Sequence, residues 1–393
     1  MTFNKNILNS KVQEFIKNFN KSISTLAFSG SPFEKVTVQE LIQQIESRRK
    51  AEKKLATWFE TEGIYYPKKL NLEQTSSEVT AQYKASLIEG KTLADLTGGF
   101  GVDSYYFSKQ MKSVTHFEIN ESLSEIAEHN FKQLEATNIR CANKDGLKGI
   151  QENRYDTLYV DPSRRHETKG KVFFLADCEP NIPKHLSELL NVCNLLMVKT
   201  APMLDISAGM EELSHVFQIH IVAVNNEVKE LLWLLKKDYE GKTEIITKNC
   251  KKHSTETYSF NYEEIAEPFY DDPKRFIYEP NAAILKSGAF NSLSEDFKLK
   301  KLHKNTHLYT SEALRDFPGR RFMTEKILPY SKKELKKEEI KKANITTRNF
   351  QESVSAIRKK FNIKDGGDVY LFFTTINPSK KVVLICSKIK DSI

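Results

Sequence analysis

Residues 91–109 read KTLADLTGGFGVDSYYFSK. The segment TLAD is a short apolar run closed by an acid, Asp95. The turn Thr97-Gly98-Gly99-Phe100-Gly101 follows at once, and DSYYFSKQM after it is helical in character. Glycines let a backbone approach a ligand closely, and the N-terminus of a following helix adds oriented amide donors. A dinucleotide-binding loop uses the same physics, so this loop alone does not choose a cofactor.

Working outward, short apolar runs alternate with helical stretches. SVTHFEI, IRCANKD, TLYVDPS, LLMVKTA and IHIVAVNN read as strands, and ESLSEIAEHNFKQL reads as a helix with Leu123, Ile126, Ala127 and Phe131 along one side. This alternation predicts an α/β, Rossmann-like fold with a parallel sheet covered by helices. TEIITKN and ETYSFNY are adjacent strands suited to an antiparallel edge. Before residue 91 the chain reads as helical, with Leu41, Ile42 and Ile45 at helical spacing and Ser76 or Ser77 as an N-cap ahead of Glu78. Near the C-terminus VYLFFTTI and KVVLICSKI are joined by Asn377-Pro378-Ser379, which is hairpin chemistry. Between these parts, EPNAAILKSGAF reads as extended.

Three acids at successive strand ends select the cofactor. Asp95 suits a positively charged ligand and repels a pyrophosphate. Glu118, with Ile119 beside it, ends the next strand, where an acid accepts both ribose hydroxyls. Asp145, followed by Gly146, ends the third and can take an adenine amino group. Together they favour S-adenosylmethionine over a nicotinamide dinucleotide. The dinucleotide pattern also fails at its third glycine, which would fall at Ser104. The fourth strand leads to Asp161-Pro162-Ser163-Arg164-Arg165. In an open α/β sheet ligands bind at this edge. The rigid Asp-Pro turn presents a carboxylate and a carbonyl to a substrate amine, so Asp161, Pro162 and Ser163 are the catalytic candidates. Arg164 and Arg165 match phosphate oxygens, and Lys199, at the end of the fifth strand, is a third substrate-binding candidate.

The series DLTGGFGVD, FE, NKDG and VDPSRR resembles motifs I to IV of class I S-adenosylmethionine-dependent methyltransferases. With QQIESRRKAEKKLATWF upstream and LPYSKKELKK, ITTRNF and GGD downstream, the chain resembles a bacterial family of such enzymes that carries a C-terminal THUMP-like domain. The resemblance implies a seven-stranded methyltransferase sheet and a cofactor cradle of Asp95, Thr97, Gly98, Gly99, Phe100, Gly101, Glu118, Ile119, Asp145 and Gly146. It also implies RNA as partner, because THUMP domains bind RNA. The expected division is a helical N-terminal region over 1–90, the methyltransferase domain over 91–261, a small mixed (ferredoxin-like) segment over 262–322 and a THUMP-like α+β domain over 323–393. Two departures stand out: Thr97 replaces the usual motif I glycine, and no aromatic follows Asp161-Pro162 to stack on a flipped base.

The 393 residues, 39% hydrophobic and 28% charged with a net charge of +8, fit a mildly basic globular protein. Basic and aromatic residues mix in Arg315, Phe317, Arg320, Arg321, Phe322, Tyr330, Lys332, Lys333, Lys336 and Lys337, and a second basic run holds Arg48, Arg49, Lys50, Lys53 and Lys54; both have the composition of a nucleic-acid surface. Five cysteines without a CxxC pair argue against disulfides and thiolate zinc sites and suit a cytoplasmic location. No metal is expected: His303 and His307 are four apart but lack further ligands of fitting spacing. No apolar run reaches membrane-spanning length. The expected function is S-adenosylmethionine-dependent methylation of a base nitrogen of RNA. The alternatives are a methyltransferase acting on protein or a small molecule, and a non-catalytic RNA-binding protein that retains the fold.

Overall fold

The computed structural model describes residues 3–151, 153–164, 174–263 and 266–390. It divides into two compact units, 1–218 with 230–241 and 219–229 with 242–393.

The first unit opens with six α-helices between Ser10 and Ala85. The longest, Val38–Lys54, starts in a capping box: Thr37 Oγ1 accepts from Glu40 N and the Glu40 carboxylate accepts from Thr37 N. It buries Leu41, Gln44, Ile45, Ser47 and Ala51. Ser77 caps helix Glu78–Ala85. These helices are part of the unit's core. Trp58 is fully buried and meets the Tyr105 ring edge-on at 4.9 Å, and the backbone of Tyr65 exchanges two 2.9 Å hydrogen bonds with the side chain of Asn130. The basic run serves the same packing: Arg48 lies over the Phe59 ring, Arg49 donates to the carbonyls of Phe19 and Lys21, and Lys54 donates to those of Leu72 and Glu73.

The strands are β1 (Thr92–Asp95), β2 (Ser113–Phe117), β3 (Ile139–Ala142), β4 (Tyr155–Val160), β5 (Cys193–Thr200), β6 (Val216–Val224) and β7 (Glu227–Leu235). Within the first unit the order is β3-β2-β1-β4-β5-β7, parallel except for β7, which runs antiparallel to β5. Helices Val102–Ser108, Glu121–Gln133 and Ile182–Asn191 are the crossovers after β1, β2 and β4. Chain order reverses between β1 and β4, so the TGGFG turn sits at the topological switch point, where α/β sheets bind ligands. β7 is absent from the sequence reading. Its ELLWLL run lacks alternation because residues 230–235 are all buried, and an unbroken apolar run does not distinguish strand from helix.

In the second unit β8 (Glu244–Cys250) and β9 (Thr255–Asn261) form the expected antiparallel pair. The rest is built on β10 (Phe276–Pro280), β11 (Lys300–Lys301), β12 (Tyr309–Ser311), β13 (Gly319–Pro329), β14 (Lys342–Arg348), β15 (Lys364–Ile376) and β16 (Lys380–Lys388), in the order β11-β12-β10-β13-β16-β15-β14. β15 and β16 are the hairpin read from the sequence. Phe322, Phe372 and Leu384 fill one core, while Leu335, Ile357, Phe373 and Val383 fill another under helices Lys332–Lys337 and Val354–Phe361. The segment EPNAAILKSGAF is extended only at Glu279-Pro280, the end of β10. Asn281 Oδ1 accepts from Ile284 N at 3.0 Å and caps helix Ala282–Ser287, which ends at left-handed Gly288.

Much of the C-terminal basic run is paired internally. Buried Glu279 receives Arg320 Nε at 2.7 Å and an Arg348 nitrogen at 2.9 Å, and Lys326 and Lys337 pair with Glu338 and Glu334. Among the described residues no helix is long and apolar enough to cross a membrane.

Candidate active site

The turn after β1 is ordered from below by Asp95, which is 1% exposed. Its carboxylate accepts from Thr97 N at 3.1 Å and from Ser104 Oγ at 2.6 Å, and Ser104 Oγ lies 2.9 Å from His116 Nδ1. Gly98 approaches the His116 ring so closely that any Cβ would overlap it, and a Cβ on Gly101 would overlap Phe131. Gly99 and Gly101 are both left-handed, with φ of 58° and 87°. Phe100 is buried, its ring 6.2 Å from that of Trp58. Close approach therefore dictates glycine at 98, and left-handed backbone favours it at 99 and 101.

Burial pushes the Asp95 carboxyl up to about 7, although the Ser104 hydroxyl pulls the other way, and burial pulls His116 down to about 4. The signs are opposite. Between about pH 4 and 7 the folded state holds a proton on Asp95 that the unfolded chain has released, so this group makes stability fall as pH rises. Between about pH 4 and 6.5 the unfolded chain protonates His116 and the folded state does not, so that group makes stability rise with pH. Asp95→Asn should remove the first contribution alone. Relative to wild type, the variant should gain on the order of 3 kcal/mol between pH 4 and pH 8 in denaturant unfolding. An unchanged difference between the two pH values would rule out this protonation.

Glu118, past the end of β2, is already oriented. Oε2 accepts from Gly99 N at 2.9 Å and Oε1 from Asn120 N at 2.7 Å. A carboxylate has about four acceptor positions, which leaves two. Ile119 is 74% exposed, an apolar side chain without core packing beside that acid. Asp145 caps the turn Gly146–Gly149 through Oδ1, which accepts from Leu147 N, and Gly146 is so close to the Leu96 backbone that a Cβ would not fit.

On the other side of the switch point, Asp161 follows β4. Its backbone N–H donates to Thr97 Oγ1 at 2.7 Å, and its carboxylate pairs with the Lys199 ammonium. The Thr97 departure thus has a structural use: a glycine there would lose the tie between the two loops. Lys199, expected to reach substrate, is placed against Asp161 and is largely buried. Burial works against its charge, but Asp161, Glu230 and Asp103 hold it above the ordinary lysine range. Pro162 is buried and Ser163 exposed. Ser163 and Arg164 pair through their backbone with Glu179 and Cys178 in a two-stranded ribbon. Arg165 and the Arg164 side chain lie outside the described residues.

Beneath these loops lies a network that the sequence reading missed. Lys84 is fully buried and donates to both Glu230 oxygens at 2.9 Å and to Ser76 Oγ at 3.0 Å, with Asp103 at 3.2 Å. Asp103 also accepts from Ser76 Oγ and Tyr159 Oη. Burial would raise Asp103, but Lys84 and Lys199 hold it below the usual carboxylate range, while Glu230 is pushed up by burial. The available signal was charge inside apolar runs, Glu230 within EVKELLWLL above all.

His303 Nδ1 accepts from Asn305 N at 3.1 Å and lies 3.1 Å from Asn349 Nδ2.

The chain is 33% identical to a protein of Porphyromonas gingivalis W83 described as a "putative methyltransferase". The match covers 99% of this chain and 100% of that one, with a TM-score of 0.90. The chain belongs to this methyltransferase family. A ferredoxin-like domain model matches residues 276–318 of the methyltransferase, and a THUMP domain-like model matches 319–388. Similarity to other solved structures is partial: Escherichia coli yhhF shows 17% identity over 41% of this chain and 85% of its own at a TM-score of 0.31, and PH1948 of Pyrococcus horikoshii shows 17% over 48% and 98% at 0.34. No curated protein sequence matches.

Proposed function

We propose that this methyltransferase uses S-adenosylmethionine to methylate a base nitrogen of RNA. The observation that carries the cofactor reading is the pair Glu118 and Asp145, which follow the neighbouring strands β2 and β3. Glu118 is fixed by two backbone amides with two acceptor positions left, and Asp145 Oδ2 has no hydrogen-bond partner among the described residues. Glu118 would hold the ribose hydroxyls, Asp145 the adenine amino group and Ile119 an adenine face. At Gly99 a Cβ would meet only the Thr97 carbonyl, at 3.8 Å, so the turn is open at this glycine for the methionine part. S-adenosylmethionine supplies an electrophilic methyl on a sulfonium.

The chain's own residues then position the acceptor. Asp161, paired with Lys199 and tied to Thr97 through its backbone, accepts a hydrogen bond from the substrate N–H and the Pro162 turn holds it rigid. The nitrogen lone pair is thereby aimed at the methyl, and the proton it sheds after transfer leaves through Asp161 to solvent. Much of the rate in such a site comes from positioning. Lys199 is a positioning residue in this scheme. The THUMP-like domain, together with the net positive charge, supports RNA as the partner.

The test is transfer of tritium from methyl-labelled cofactor to total cellular RNA, followed by nucleoside analysis. Labelled N-methylated nucleosides are expected, with RNA affinity falling at least about tenfold between 50 and 200 mM salt, because phosphate contacts release counterions. Label appearing only in protein or small molecules would replace RNA as the substrate.

A further inference from the structure

The second unit contains a cavity of about 490 Å³, within the range of small-ligand sites. It is lined by Lys301 and Lys304, the aromatic residues Tyr262, Tyr270 and Phe290, and His307. Lys301 is 2% exposed. Its ammonium donates to Asn291 Oδ1 at 3.1 Å and to the Lys304 carbonyl at 3.2 Å. Both acceptors are neutral, and an ammonium has three protons to donate. No carboxylate lies within ion-pair distance of it among the described residues, and burial holds it below the usual lysine range. A buried cation without a counter-charge is costly, and an anion seated beside it offsets that cost. The lining carries two lysines against one acid, Glu263.

The other half of the cavity is planar. The Phe290 and His307 rings stack at 3.6 Å with 23° between planes, and Tyr270 is 41% exposed. His307 adopts a left-handed backbone with φ of 53°, a conformation that residues other than glycine rarely take and that recurs at ligand sites. Its Nδ1 is buried and has no hydrogen-bond partner among the described residues. Burial, with help from Lys301 and Arg348, brings His307 down to about 4, so the ring is neutral near pH 7.

We propose that this cavity binds a nucleoside phosphate unit, with the phosphate at Lys301 and Lys304 and the base against the aromatic residues and His307. Sequence-tolerant stacking on aromatics beside a cationic groove is how single-stranded nucleic acid is held. The ligand's source is either a free nucleotide or one nucleotide of a single-stranded RNA. The site uses none of the residues assigned to the cofactor and stands without the methyl-transfer reading.

The experiment uses the full chain without cofactor. Saturation-transfer NMR reads binding of 5′-UMP, and fluorescence anisotropy reads binding of a labelled oligouridylate, in wild type, Lys304→Glu, Lys301→Met and Glu118→Ala. Lys304 is exposed, so its variant tests the site even where Lys301→Met fails to fold. Binding at least tenfold weaker in Lys304→Glu and unchanged in Glu118→Ala is expected. If UMP itself binds in that pattern, the source is a free nucleotide. If only the oligonucleotide does, the source is RNA. The proposal is overturned if neither probe binds, if Lys304→Glu binds as wild type does, or if inorganic phosphate displaces the probe as well as UMP does.

Discussion

Asp161→Ala should lower methyl transfer by about 10²-fold or more while leaving S-adenosylmethionine affinity within about threefold. The carboxylate is partly exposed and held by a largely buried cation, and its backbone is tied to the TGGFG turn. Removing it takes away the acceptor for the substrate N–H and leaves the Thr97 contact, which uses the backbone. Glu118 and Asp145 sit at the ends of other strands and are untouched. Asp161→Asn, which keeps the shape but not the charge, should fall between the two. Single-turnover transfer and equilibrium cofactor binding separate the effects. A variant that transfers methyl within threefold of wild type would remove Asp161 from the mechanism.

Lys84→Met should have the largest effect on stability, about 3–5 kcal/mol, because it leaves Glu230 and Asp103 buried with their main counter-charge gone. Removing one partner of a buried pair is far more damaging than replacing the pair with apolar groups of similar volume. Lys84→Met combined with Glu230→Met should therefore recover at least half of the loss, a coupling that additive effects would not give. Denaturant unfolding of the two single variants and the double variant reads it directly. A double variant as unstable as the sum of its parts would show that the charges do not act as a unit.

The sheet was legible because its strands are short apolar runs closed by acids or glycines, and TLAD, SVTHF and TLYV each end where a site residue begins. The TGGFG turn was legible for the same reason: its glycines answer local needs, left-handed backbone at 99 and 101 and close approach to His116 at 98. What was not legible depends on contacts across long sequence separations. Lys84 and Glu230 meet over 146 positions, and nothing in the helix EVTAQYKA marks its lysine as buried. Lys199 looked like a substrate contact because its position on the strand is right; that its ammonium turns to Asp161 depends on side-chain geometry. The basic run around Arg48 had the composition of a nucleic-acid surface, but composition does not show that Arg49 and Lys54 satisfy carbonyls at the ends of neighbouring helices. The helix Ala282–Ser287 was missed because a Pro-Asn pair reads as extended until the asparagine is recognised as an N-cap.

The most direct test of the central claim is isothermal titration of S-adenosylmethionine, and separately NAD, into wild-type protein and Glu118→Ala. The account predicts that S-adenosylmethionine binds wild type, that its affinity drops at least about tenfold in the variant through loss of two hydrogen bonds to a charged group, and that NAD binds neither. Binding of NAD, or of S-adenosylmethionine with equal affinity to both proteins, would contradict it.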